Sequence, residues 1–360
     1  MWGRALLLGV VLAAALTGCG QQQESRATVT ASPSLTPSET PPSQSATPRV
    51  VGTAATGLRA PWGIAFLPNG EALVTERDSR RVLSIRDGRV REVGTIDARP
   101  EGEAGLLGVA VSPDFGTNHR VFFHATTGSD NRVLRAQLSG GRLTALTPIL
   151  TGIPKGFVHD GGRLAFGPDG ALYVSTGETG EPELAQDPHS LAGKILRIDE
   201  DGKPFDGNDP VWTLGHRNVQ GLAFDDREQL WASEFGEQTW DELNLIRQGN
   251  NYGWPRVEGR GEQTEFTNPA VVWRPEDASP SGLAYADGNL WMASLRGTRL
   301  WQIPVTADGV GKPKAHFTGR YGRLRAVVRA PNGNLWVGTS NHDGRGDPKP
   351  GDDRILIVRP

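Results

Sequence analysis

One short pattern recurs six times along the 360-residue chain, at spacings of about 45 to 60 residues. Each copy is an apolar run, a turn built from Pro, Asp, Asn or Gly, and usually a second apolar run. The copies begin at Gly63, Gly108, Arg163, Gly221, Gly282 and Ala326. In the first, Pro68-Asn69-Gly70 separates Ile64-Ala65-Phe66 from Ala72-Leu73-Val74; in the third, Pro168-Asp169-Gly170 separates Leu164-Ala165-Phe166 from Leu172-Tyr173-Val174. Apolar runs of this length bounded by turn residues read as hairpin strands. The fifth copy, with Asp287-Gly288, is one residue shorter in its turn. Alternating runs such as 81–85 and 194–198 follow most copies, and no window of ten or more residues shows clear helical periodicity. The spacing fits one small sheet per repeat. It predicts an all-β fold, a six-bladed β-propeller with a central mouth, in which ring closure removes long exposed sheet edges. The closing run 354–358 is expected to pair with the first residues of the domain. The connections between copies three and five are the longest, so function is expected to concentrate there.

The N-terminal stretch is of another kind. Residues 1–18 carry Arg4 and an apolar run, 5–16, too short to span a bilayer as a helix, and read as a signal peptide. Leu16-Thr17-Gly18-Cys19 resembles the lipobox of bacterial lipoproteins, which implies a mature chain lipidated at Cys19. Residues 19–49 are dominated by Ser, Thr, Pro and Gln, cannot bury a core and read as a flexible tether. Residues 50–360 form the propeller. The expected location is the cell envelope, outside the cytoplasm, held to the membrane only through the lipid on Cys19. Cys19 is the only cysteine, so the domain is expected to lack disulfides and thiolate metal sites. A net charge of −3, scattered along the chain, gives no nucleic-acid footprint. Monomer and homodimer are both compatible with the sequence.

A propeller does not fix function, so the loops must carry the argument. His159 and Glu178 flank the third hairpin at its open end. A histidine facing a carboxylate is a proton-transfer pair with a tunable pKa, or simply a surface pair. Arg217 and Asn218 sit just before the fourth copy, where a guanidinium and an amide can hold an electron-rich oxygen, or where Arg217 can bridge blades. Residues 233–255 gather acids, amides and carbonyls around Gly236, hard oxygen donors suited to Ca²⁺ or else a charged connecting loop. Arg323 and Arg325 project to one side if their segment is extended. With Arg296 they make a three-cation cluster at the mouth, calling for a polycarboxylate or phosphate ligand unless the arginines are merely solvated.

Over residues 55–360 the chain resembles the soluble PQQ-dependent sugar dehydrogenases, the glucose/sorbosone dehydrogenase family. The stretches that carry the resemblance include Gly105-Leu106-Leu107-Gly108, residues 159–178, Gly215-His216-Arg217-Asn218, Asp241-Glu242-Leu243-Asn244 running to Trp254-Pro255, and Thr339-Ser340-Asn341 running to Gly346. The resemblance implies pyrroloquinoline quinone (PQQ) and Ca²⁺ as cofactors. It implies oxidation of an aldose at its C1 hydroxyl to the lactone, with electrons passed to an external acceptor. By the same resemblance His159 is the general base, Glu178 its acid partner, and Arg217 and Asn218 contact the quinone. Arg296, Arg323 and Arg325 hold the cofactor carboxylates, and the carbonyls of Gly236 and Glu237 help bind Ca²⁺. Three positions depart from the pattern: Glu237 replaces a proline, Arg296 a lysine and Glu103 a glutamine. Glu103 would face the cofactor carboxylates unless protonated or turned toward the metal. A non-catalytic glycan- or protein-binding propeller at the cell surface is the alternative. A calcium-dependent lactonase is a third option, but it needs acids converging on the metal where this chain supplies mainly arginines.

Overall fold

The computed structural model describes residues 47–360; the expected signal peptide, Cys19 and most of the expected tether lie outside them, and the first strand begins at Arg49, one residue earlier than expected. Six antiparallel sheets make six blades. Each copy of the repeat forms the two innermost strands of one blade: Pro61–Phe66 with Ala72–Glu76, Leu164–Phe166 with Leu172–Ser175, and so on round the ring. The turns explain the repeat's chemistry. Oδ1 of Asn69, Asp169 and Asn332 each accepts the N–H two residues on, and Gly70, Gly170 and Gly333 follow with φ near +80°. The shorter fifth turn places both Asp287 and Gly288 at positive φ, the conformation of a two-residue hairpin.

The ring closes as expected. The first strand, Arg49–Ala55, pairs with the last, Ile355–Arg359, and becomes the outermost strand of the blade built by the sixth copy.

Both faces of every blade are covered, which is why apolar residues occur consecutively as well as alternately. In Ala72–Glu76, Leu73 packs toward blade two with Leu106 and Phe123, whereas Ala72 and Val74 pack toward blade six with Ala326 and Ile355. Six hydrophobic clusters fill the seams between adjacent blades. The glycines that open several copies serve the axis. A Cβ on Gly108 would collide with the carbonyl of Gly162 in blade three, and one on Gly221 with the carbonyl of Ser281 in blade five. Among the described residues no helix is long and apolar enough to cross a membrane.

Candidate active site

Antiparallel pairing puts the entrance of each innermost strand and the exit of the second strand at the same end of a blade. All such segments therefore meet on one face of the ring. His159, Arg217, Arg323 and Glu103 lie on segments that lead into first strands; Glu178, Gly236, Arg296 and Asp343 follow second strands. A cavity of about 450 Å³ opens there, lined by every one of these residues except Glu178, which lies behind His159.

His159 Nδ1 is hydrogen-bonded to Oε1 of the buried Glu178, so Nε2 is the free ring nitrogen. Glu178 Oε2 is buried without a partner. The His159 backbone is left-handed, with φ +58°, an unfavourable conformation for a residue with a Cβ. It is held from three sides. The His159 N–H donates to Glu103 Oε2 at 3.2 Å, its carbonyl accepts from the Thr179 N–H at 3.2 Å, and Gly177 packs where any Cβ would strike that carbonyl. Backbone outliers fixed in this way concentrate at functional sites. Asn218 Oδ1 accepts the Gly161 N–H at 3.1 Å, which steadies the same loop and leaves its amide NH₂ for the cavity.

Arg217 is half-enclosed. Its Nη1 donates to the Gly236 carbonyl at 2.5 Å, the guanidinium lies 5.2 Å from the Trp254 ring centroid, and Nε is buried without a partner. Burial lowers its pKa, against the pull of Glu178 and Glu237. The Gly236 carbonyl thus accepts one hydrogen bond from Arg217, which leaves its second lone pair available to another partner. Residues 236–240 wrap the carboxylate of Glu258. Its Oε1 accepts four successive N–H groups, from Glu237, Gln238, Thr239 and Trp240, at 2.7 to 3.1 Å. Glu237 lacks proline's rigidity, and this nest restrains the loop instead. Among the described residues no cluster of three or more His, Cys, Asp or Glu side chains could hold a metal.

Arg296, Arg323 and Arg325 all line the cavity, and two of them are partly neutralised. Asp343, given no role in the sequence reading, sits between Arg323 Nε at 2.9 Å and Arg325 Nη2 at 3.4 Å. Arg325 is buried, and that burial pushes its pKa down to about 10 despite Asp343. Arg296 is exposed at the rim and makes no ion pair among the described residues. Glu103 does not confront the cavity as an unpaired acid, because Oε1 accepts from Arg345 Nη1 at 2.9 Å. Burial opposes its charge, but the His159 N–H and Arg345 hold the carboxyl below its usual range. The sequence reading missed Arg77, Asp241, Asp343 and Arg345, all of which line the cavity. The first, third and fourth follow second strands or come from blade six, outside the stretch where function was expected. Asp241, Asp343 and Arg345 lay in stretches that carry the family resemblance, but none was given a role; Arg77 lay in none. Six arginines and four carboxyl side chains line the cavity, so its charge is net positive.

A six-bladed propeller with a net-positive mouth and a histidine–carboxylate pair in its wall has the chemistry to receive an anionic, oxygen-rich group beside a proton acceptor. The chain belongs to the glucose/sorbosone dehydrogenase family, whose pattern covers residues 58–356. That membership makes it a sugar-dehydrogenase-type oxidoreductase. The structure of the PQQ-bound aldose sugar dehydrogenase from Streptomyces coelicolor is 50% identical, has a TM-score of 0.85, and covers 87% of this chain and 98% of that one. Aldose sugar dehydrogenase YliI of Escherichia coli (strain K12) is 27% identical over 337 residues, 80% of this chain and 89% of that protein. Quinoprotein glucose dehydrogenase B of Acinetobacter calcoaceticus is 32% identical over 278 residues, 64% of this chain and 58% of that protein.

Proposed function

We propose that this propeller oxidises an aldose at C1 to the lactone with PQQ as its resident cofactor. The observation that carries the reading is the His159–Glu178 pair in the wall of an arginine-rich cavity. The residues fit the group. A flat tricarboxylate needs several guanidinium donors, and the cavity offers Arg296, Arg323 and Arg325 for its carboxylates, with Arg217 and Asn218 for its carbonyl oxygens. When bound, PQQ supplies a two-electron quinone acceptor. The chain's own residues do the rest. Glu178 fixes the His159 tautomer, so Nε2 can take the C1 hydroxyl proton, and the carboxylate then stabilises the imidazolium. The unpaired Arg217 Nε and Glu178 Oε2 are polar atoms prepared for a ligand or ordered water. We further propose that Ca²⁺ binds at the Gly236 and Glu237 carbonyls, an all-oxygen donor set suited to a hard cation. The lipid-anchored location through Cys19 belongs to the same proposal. Replacing Cys19 with Ser should release the protein from membranes to the soluble fraction.

The test is dye reduction by the propeller supplied with PQQ and Ca²⁺, over a panel of aldoses. Wild type should reduce dye, a chelator should abolish activity, and His159→Ala should lose about 10³-fold in kcat, the middle of the range for a general base. Unchanged activity in His159→Ala would remove the base assignment. Glycan binding without turnover by the loaded wild type would favour the non-catalytic reading.

A further inference from the structure

A second cavity, of about 520 Å³, adjoins the first and shares Leu295, Arg296, Arg323 and Arg345 with it. It lies between blades five and six, under the loop after Asn289–Ser294, the segment entering Leu324–Arg329 and the loop after Leu335–Thr339. Six cationic side chains line it against two acids, Asp347 and Asp352. Several are already paired: Arg323 with Asp343, Arg345 with Glu103, and Arg354 with Asp352. Arg296, Arg320 and Lys349 make no ion pair among the described residues, and Asp347 alone is left to oppose them. Arg320 stands 5.2 Å from the Tyr321 ring centroid, so an aromatic face helps to aim its guanidinium. The result is a concave pocket with an excess of about two positive charges at the edge of the reaction chamber.

Its position narrows what it can serve. His159 and Glu178 belong to blade three, and in a ring of six, blade three faces blade six across the axis. A sugar whose C1 reaches His159 enters from one side of the mouth. The second cavity lies on the blade-six side and is walled in part by Arg296 and Arg323, the arginines assigned above to the cofactor carboxylates, and not by His159. An occupant there would adjoin the residues that would hold the cofactor, away from the proposed base.

We propose that this pocket is the docking site for a small anionic electron acceptor. The inference rests on the oxidoreductase reading and adds to it the chemical class of the oxidant. The balance is direct. Each aldose oxidised to lactone releases two electrons and two protons; two one-electron anionic oxidants, or one two-electron oxidant, take the electrons, and the protons go to solvent.

The experiment uses the loaded full chain at saturating sugar, with ferricyanide as the anionic acceptor and phenazine methosulfate as the cationic one. In the double variant Arg320→Gln, Lys349→Gln, KM for ferricyanide should rise about tenfold. KM for the sugar and for phenazine methosulfate should not rise. Arg320→Lys with Lys349→Arg should restore the ferricyanide KM. Hexacyanocobaltate(III), a redox-inert anion of the same shape, should compete with ferricyanide and bind by calorimetry to the loaded wild type but not to the double variant. An unchanged ferricyanide KM, or an equal rise for both acceptors, overturns the docking site. A wild type that reduces neither acceptor overturns the oxidoreductase reading on which it rests.

Discussion

Asp160, next to the proposed base, offers a measurement independent of turnover. Its Oδ1 accepts from Asn131 Nδ2 at 2.8 Å and from the Gly156 N–H at 3.1 Å, while Oδ2 is buried with no partner. Burial raises its pKa from 3.8 to about 6 against those two hydrogen bonds, with the negative charge of Glu103 adding to the rise. A carboxyl raised in this way keeps its proton in the fold at a pH where the unfolded chain has released it. Below about pH 4 both states are protonated and the group is neutral to stability. Between about pH 4 and 6 the native state binds more protons, so this group's contribution falls as pH rises, and above about 6 the full penalty applies. The gap corresponds to about 3 kcal/mol. Asp160→Asn keeps the Oδ1 acceptor and removes the ionisation. The melting-temperature difference, variant minus wild type, should be small at pH 4 and grow to about 4–5 °C by pH 7 for a domain of roughly 300 residues. Scanning calorimetry at half-unit steps measures it. A difference that stays flat across the range, or that grows toward acid, refutes the claim that this carboxyl is buried without full compensation.

Two further changes probe the scaffold and the loop. Glu258→Ala leaves four N–H groups without their shared acceptor and should free residues 236–240. Ca²⁺ affinity, read by calorimetry, should drop at least tenfold, while Glu258→Gln, which retains one acceptor oxygen, falls in between; equal affinities in all three would separate the loop's restraint from cation binding. Gly108→Ala drives a methyl into the Gly162 carbonyl at the axis and should cost about 3 kcal/mol, seen as a lower urea midpoint, whereas Gly88→Ala, in an open turn at positive φ with nothing nearby, should cost about 1 kcal/mol.

The sequence carried the architecture well because the fold is repetitive and local. Four of the six hairpin turns announce themselves through Asn or Asp followed by Gly, and in three of them the side-chain hydrogen bonds at Asn69, Asp169 and Asn332 are the physical reason. Closure was legible too, since Ile355–Arg359 had no other partner after the sixth copy. The site was only half legible. His159, Glu178, Arg217 and Asn218 occur within short stretches next to recognisable strands, and antiparallel pairing alone returns them to one face. Their partners could not be read that way. Asp343 and Arg345 lie on the far side of the ring closure, and Arg345 reaches Glu103 across 242 positions of chain. No local pattern encodes a contact of that range. This matters most for Glu103. Taken from sequence, an acid beside an anionic cofactor is a defect. In the fold its charge is met by Arg345 and its second oxygen holds the N–H of His159, so the residue that departs from the family pattern becomes part of what fixes the base. The departure at Glu237 is resolved in the same manner by Glu258. In both cases a local rule is broken and a distant side chain compensates, which only the three-dimensional arrangement reveals.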